Sequence, residues 1–164
     1  MAKTSENLHA AFAGESQANR KYLAFAKKAD GEGYPQAARL FRAAAAAETI
    51  HAHSHFKVMD GVKSTRENLG AAIEGETHEY KEMYPEMIKT AKDEGNKGAE
   101  RSFNAACQVE VIHADLYKKM LDNLGKNEKV EYYVCDICGN TVEGEAPDKC
   151  PVCGAPKNKF KKID

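Results

Sequence analysis

Apolar positions recur at helical spacing through the first 125 residues and define four long helices. Leu8, Phe12, Leu23 and Ala26 form the stripe of a first helix over residues 5–29, which Asp30-Gly31-Glu32-Gly33 stops. Pro35 suits the first turn of a second helix, which carries Leu40, Phe41, an alanine block and Ile50 to about Asp60-Gly61. Ser64-Thr65-Arg66-Glu67 has the form of a capping box and opens a third helix, running to about Gly95 with a kink expected at Pro85. The fourth spans residues 96–124 and ends at Gly125. Beyond it alanine becomes scarce, prolines and glycines cluster, and Glu131-Tyr132-Tyr133-Val134 reads as a short strand. The pattern predicts a helical domain over residues 1–126 and a small β-rich domain over 127–164.

Composition narrows the function classes. The chain has 164 residues, with 42% hydrophobic and 30% charged side chains, which are globular values. Residues 1–126 carry 18 basic and 18 acidic side chains, and the remaining 38 carry 6 and 7. Neither part is the basic footprint of a nucleic-acid binder or a polybasic membrane arm. The longest apolar runs are five residues, far below the about 20 of a spanning helix, and the N-terminus has no apolar leader core. A cytoplasmic, reducing location is expected. Four of the five cysteines form Cys135-x-x-Cys138 and Cys150-x-x-Cys153. In a reducing compartment that spacing reads as a metal site, and a tail of about 35 residues needs such a staple to fold. Four thiolates suit zinc or iron, and spacing alone leaves both open. Cys107, alone within an alanine-rich helix, reads as a buried inert thiol.

The helices repeat. Gly14-Glu15 matches Gly75-Glu76, and Phe41, Glu48, Ile50 and His51 match Phe103, Glu110, Ile112 and His113 at an offset of 62 residues. The four helices are two copies of one hairpin, and the repeat includes the ionisable residues. Glu48-x-x-His51 and Glu110-x-x-His113 each place a carboxylate and an imidazole on one helix face, one turn apart. Their surroundings are apolar, where an ionised Glu is costly unless paired or metal-bound. Glu15, and Glu76 with Glu79, come from the other two helices. A Glu from each of two helices plus Glu-x-x-His from each of the others is the di-iron carboxylate pattern of ferritin-like bundles. Glu79 has no counterpart in the first repeat, where Ala18 stands, and is a candidate seventh ligand. His9, His53, His55 and His78 are read as surface or packing residues.

At these residues the sequence resembles a rubrerythrin over nearly its whole length. The resemblance rests on both Glu-x-x-His motifs, the run Glu74-Gly75-Glu76-Thr77-His78-Glu79-Tyr80, and the rubredoxin-like tail. The Cys150-Pro151-x-Cys153-Gly154 form favours iron at the four cysteines by resemblance. The resemblance implies hydrogen peroxide reduction to water, with electrons from NAD(P)H passing a separate reductase and the rubredoxin-type iron to the di-iron site. It implies Glu48 and Glu110 as bridging ligands, Glu15 and Glu79 terminal on one iron, and Glu76 and His113 terminal on the other. On reduction the first iron is expected to exchange Glu79 for His51. Tyr22 and Tyr84 match tyrosines close to the irons. The alternatives are a ferroxidase or iron-storage shell, told apart by assembly size, and a zinc-binding docking module, told apart by the absence of red colour.

Helix lengths add a topological expectation. Parallel second and third helices need a connection as long as the bundle. The second helix, about 26 residues, is about 39 Å long, whereas about eight extended residues around Gly61–Ser64 reach at most about 29 Å. Some proteins resembling this chain exchange helix pairs. The short connection leaves either a plain up-down-up-down bundle within one chain or an exchange of helix pairs between two, and the expected architecture is the second, a domain-swapped homodimer of ferritin-like four-helix bundles. Each composite site would take Glu15, Glu48 and His51 from one chain and Glu76, Glu79, Glu110 and His113 from the other.

Overall fold

A computed structural model describes residues 2–164. The helical part comprises α1 (Lys3–Gly31), α2 (Pro35–Val58), α3 (Thr65–His78), α4 (Tyr84–Asp93) and α5 (Lys97–Asp122). A π turn, Glu79–Met83, joins α3 to α4 without a break, so the helices form four rods as the periodicity predicts. A three-stranded antiparallel sheet follows, built from β1 (Tyr132–Cys135), β2 (Thr141–Glu143) and β3 (Phe160–Ile163) in the order β2-β1-β3. No described helix is long and apolar enough to cross a membrane. The chain forms two compact units, one ending at Lys63 and the other spanning Ser64–Asp164.

The first unit is the α1–α2 hairpin. Ala38, Ala45 and Ala52, seven residues apart on α2, are all buried and form a seam of small side chains against α1. Asn19 of α1 donates to the Ala45 carbonyl at 2.7 Å and to Thr49 Oγ1 at 2.9 Å, which fixes the register of the two helices. Phe12 stacks on Phe56 at 4.9 Å between centroids. Where the chain leaves α2, Gly61 packs so closely on the Phe56 ring that any Cβ there would collide with it.

The second unit starts at the capping box that the sequence predicts. Ser64 Oγ accepts from the Glu67 amide and the Glu67 carboxylate accepts from the Ser64 amide, satisfying two otherwise orphaned donors. α3 and α4 both pack on α5. The expected kink at Pro85 takes the form of the π turn. Pro85 lies in the first turn of α4, where its missing N–H costs no bond, and the Tyr84 amide reaches five residues back to the Glu79 carbonyl. In the tail, β1 pairs with β2 through Val134↔Thr141 and with β3 through Cys135↔Phe160.

Candidate metal centres

Three elements gather the four thiols. β1 ends at Cys135, and two equivalent knuckles follow, in which the Gly139 amide donates to the Cys135 carbonyl and the Gly154 amide to the Cys150 carbonyl, both at 2.9 Å. Both glycines have positive φ, +83° and +75°, a conformation that side chains disfavour, so each Cys-x-x-Cys-Gly turn depends on its glycine. Cys135 and Cys153 sulfurs lie 3.7 Å apart, and those of Cys138 and Cys150 3.6 Å apart. A tetrahedron with metal–sulfur bonds of about 2.3 Å has edges of about 3.8 Å, so the thiols are spaced to fit one metal ion. All four cysteines are free of disulfides. Burial raises the Cys150 thiol, but the backbone N–H groups of Cys153 and Val152 outweigh it and bring the group down to about 7. Burial holds the Cys138 and Cys153 thiols above their usual range. Asn140, fully buried, directs its side-chain amide at Cys150 Sγ, 3.7 Å away.

The carboxylate residues form two half-sites, one in each unit. In the first, α1 supplies Glu15 and α2 supplies Glu48 and His51, with ligand atoms all within 4.8 Å of one another. His51 Nδ1 is 2.9 Å from Glu48 Oε2. In the second, α3 supplies Glu76 and α5 supplies Glu110 and His113, again within 4.8 Å. His113 Nδ1 lies 2.8 Å from Glu110 Oε2 and 3.7 Å from Glu76 Oε1. Glu79 stands outside that triad, at the first position of the π turn, but within the field of its charges.

The second half-site is a crowded set of acids. Burial pushes the Glu76 carboxyl up to about 7, aided by a hydrogen bond to Glu110 and by the charges of Glu110 and Glu79. Burial and then the Glu110 charge raise Glu79, against the opposing pull of His78 and His113. Such carboxylates repel one another until a cation is placed among them, and this donor set of oxygens and imidazole nitrogen suits iron. Tyr84 is raised by burial and then by the charges of Glu79 and Glu110, which places its phenol beside these acids. Tyr22 instead joins an aromatic cluster, 6.4 Å from Phe25 and 6.3 Å from Phe41 between centroids. Cys107 donates weakly to the Tyr80 carbonyl at 3.7 Å, and burial raises its thiol, as an inert cysteine should behave. His78 pairs with Glu82 at 3.3 Å on an exposed face. Asn140 and Thr141 escape the sequence reading, because neither belongs to a ligand motif and each makes its key contact at long range.

A sequence model described as rubrerythrin matches residues 6–121, and one described as the rubredoxin-like domain of rubrerythrin matches residues 133–161. Rubrerythrin-2 of Clostridium acetobutylicum is 38% identical, the match covering 97% of this chain and 96% of that protein. Nigerythrin of Nitratidesulfovibrio vulgaris is also 38% identical, over 96% of this chain and 85% of its own. A solved structure of fully reduced, all-ferrous nigerythrin superposes with a TM-score of 0.61 at 37% identity, covering 99% of this chain and 88% of that one.

Proposed function

This chain belongs to the rubrerythrin family, with its di-iron site and four-cysteine rubredoxin-like iron site, and on that premise we propose that it reduces hydrogen peroxide to water. Residues 1–126 act as the di-iron domain and residues 127–164 as the electron-entry domain. Glu15, Glu48, Glu76, Glu79, Glu110 and His113 would hold the two irons, Glu48 and Glu110 as the ligands shared between them, Glu15 and Glu79 on one side and Glu76 and His113 on the other. Glu79 and His51 would be the two side chains that alternate in holding one of the metals. Bound ferrous ions supply the two electrons that cleavage of the O–O bond requires, one from each. The carboxylates would hold the metals and neutralise their charge.

Electrons are replaced one at a time through the four cysteines, from NAD(P)H by way of a separate rubredoxin-reductase-type protein in the cytoplasm. Cys153 is exposed, and Ile137 beside the other knuckle is 61% exposed, so an electron donor has an accessible apolar edge to meet. The active assembly is a homodimer that exchanges its helix hairpins. The observation that carries this reading is that one chain holds two Glu-Glu-His half-sites and a four-thiol cluster. The test is metal analysis followed by anaerobic peroxide titration of the reduced protein. About three irons per chain are expected, with the pair reoxidised by one peroxide. A protein that binds zinc at the thiols, or that leaves peroxide unreduced when fully loaded with iron, overturns the proposal.

A further inference from the structure

The second half-site is tied to the rubredoxin-like sheet by a side chain that belongs to neither ligand set. α5 runs against the Cys138-Gly139 knuckle and the β2 strand that follows it. Val109, 2% exposed, lies under the Cys138-Gly139 knuckle, where a Cβ on Gly139 would stand 3.9 Å from its Cγ1. One turn further along α5, His113 Nε2 is 2.9 Å from Thr141 Oγ1. Further still, Lys119 pairs with Glu143, which also accepts from the Tyr132 hydroxyl at 3.3 Å. Thr141 and Glu143 alternate along β2 and so share the strand face turned to α5.

We propose that Thr141 is a positioning residue for His113, fixing its ring so that Nδ1 presents a lone pair to the metal. The inference rests on His113 being a ligand, as proposed above. Nδ1 faces Glu110 and Glu76, so a metal among those carboxylates meets that nitrogen. A bound metal needs the lone pair there, and the ring proton must then sit on Nε2 as a donor. Thr141 is arranged to receive it. Its hydroxyl donates its own hydrogen to the Gly139 carbonyl at 3.2 Å and is left offering only lone pairs to the ring. The donors therefore run in one direction, from His113 Nε2 to Thr141 Oγ1 to the Gly139 carbonyl. The anchor is the knuckle that follows Cys138, so the imidazole of one metal site is held by the backbone of the other.

The test uses the full-length protein with its tetrathiolate iron in place, as Thr141→Val and Thr141→Ser. Valine keeps the branched shape and removes the hydroxyl, whereas serine keeps the hydroxyl. Ferrous ion titrated anaerobically should bind the carboxylate site about tenfold more weakly in Thr141→Val and close to normally in Thr141→Ser, the usual scale for an outer hydrogen-bond partner of a ligand histidine. With zinc at the carboxylate site as a diamagnetic probe, the His113 Nε2 proton should exchange slowly with solvent in the wild type and rapidly in Thr141→Val. The red absorbance should be the same in all three proteins. Wild-type ferrous affinity in Thr141→Val overturns the proposal, and so does loss of its red colour, which would make Thr141 a builder of the knuckle alone. His113→Ala separates the two layers of argument. If it binds ferrous ion as the wild type does, the ligand assignment fails and this inference falls with it. If it loses binding while Thr141→Val keeps it, the positioning role alone is wrong.

Discussion

His113 Nδ1 lies 2.8 Å from Glu110 Oε2, one turn apart on α5, and the same relation recurs at 2.9 Å between His51 and Glu48 on α2. The two pairs are alike in sequence but unlike in setting. The His113 side chain is 26% exposed and bonds to Thr141 through its far nitrogen, whereas that of His51 is 55% exposed. A ligand that must leave and return needs freedom, and a permanent ligand needs a fixed ring. The Thr141 contact supports His113 as the fixed ligand, which leaves His51 as the exchanging one.

His51→Ala should therefore assemble the oxidised di-iron site with normal iron content, while its reduced form reacts with peroxide at least about tenfold more slowly, the effect of about 1.4 kcal/mol lost from the transition state. His113→Ala should lose iron outright. Stopped-flow reoxidation alongside iron analysis checks both. An unchanged peroxide rate in fully loaded His51→Ala contradicts the exchange.

Protons follow from the crowding of Glu76. Its carboxyl, raised from 4.5 to about 7 in the metal-free protein, is still largely protonated at pH 6. A folded-state pKa above the unfolded one stabilises below the unfolded value and loses that benefit as pH rises through the folded value. The metal-free protein should thus lose stability between pH 4.5 and 7, an effect that Glu76→Gln should flatten. Ferrous binding near pH 6 should release a proton from this group, and binding should tighten as pH rises toward 8. Thermal melts of the metal-free protein and calorimetry in buffers of different ionisation enthalpy read the two effects. Proton release that Glu76→Gln leaves unchanged would assign the proton to another group.

The helices, the repeat and the residues of the two Glu-Glu-His clusters were legible in the sequence because their signals are local. A capping box at Ser64, Pro35 at a first turn and Glu-x-x-His at three-residue spacing all act within one turn of helix. The π turn at Glu79 was not legible as such. Pro85 announces only that a backbone donor is missing, and whether the helix kinks or widens depends on how α3 and α4 pack on α5. β2 and β3 escaped for a related reason, since three- and four-residue strands acquire their identity from partners between 7 and 31 positions away. Asn140 and Thr141 read as ordinary loop residues until folding brings them to Cys150 and His113.

Asn140 leads to a prediction about potential. Its amide points at Cys150 Sγ from a fully buried position, and hydrogen bonds to sulfur favour the more negative, reduced cluster. Removing about 1 kcal/mol of such preference corresponds to about 40 mV in a one-electron couple. Asn140→Ala should keep the red colour and lower the midpoint potential of the tetrathiolate iron by that amount. Cys150→Ser should instead abolish the colour and stop reductase-supported turnover, while the di-iron site still reacts once with peroxide after chemical reduction. Redox titration monitored in the visible range decides the first point, and a higher or unshifted potential in Asn140→Ala refutes it.

We propose the exchange of hairpins from lengths along the chain. α2 has 24 residues and is about 36 Å long, while residues 59–64, spanning the gap to α3, reach at most about 25 Å when fully extended. A parallel α2 and α3, as the ferritin-like arrangement requires, therefore cannot come from one chain. Exchange between two chains removes the problem and leaves every ligand in place, and the division of the ligands into one triad before Lys63 and one after Ser64 suits it. Complementation tests this directly. One chain would carry Glu48→Ala with His51→Ala, and its partner Glu110→Ala with His113→Ala, each inactive when expressed alone. In a swapped heterodimer one composite site is doubly damaged and the other is intact. Random pairing should then restore about a quarter of the wild-type sites, visible as peroxide-reactive iron. If each site is built from a single chain, the mixture stays inactive, and that result would rule out the exchange.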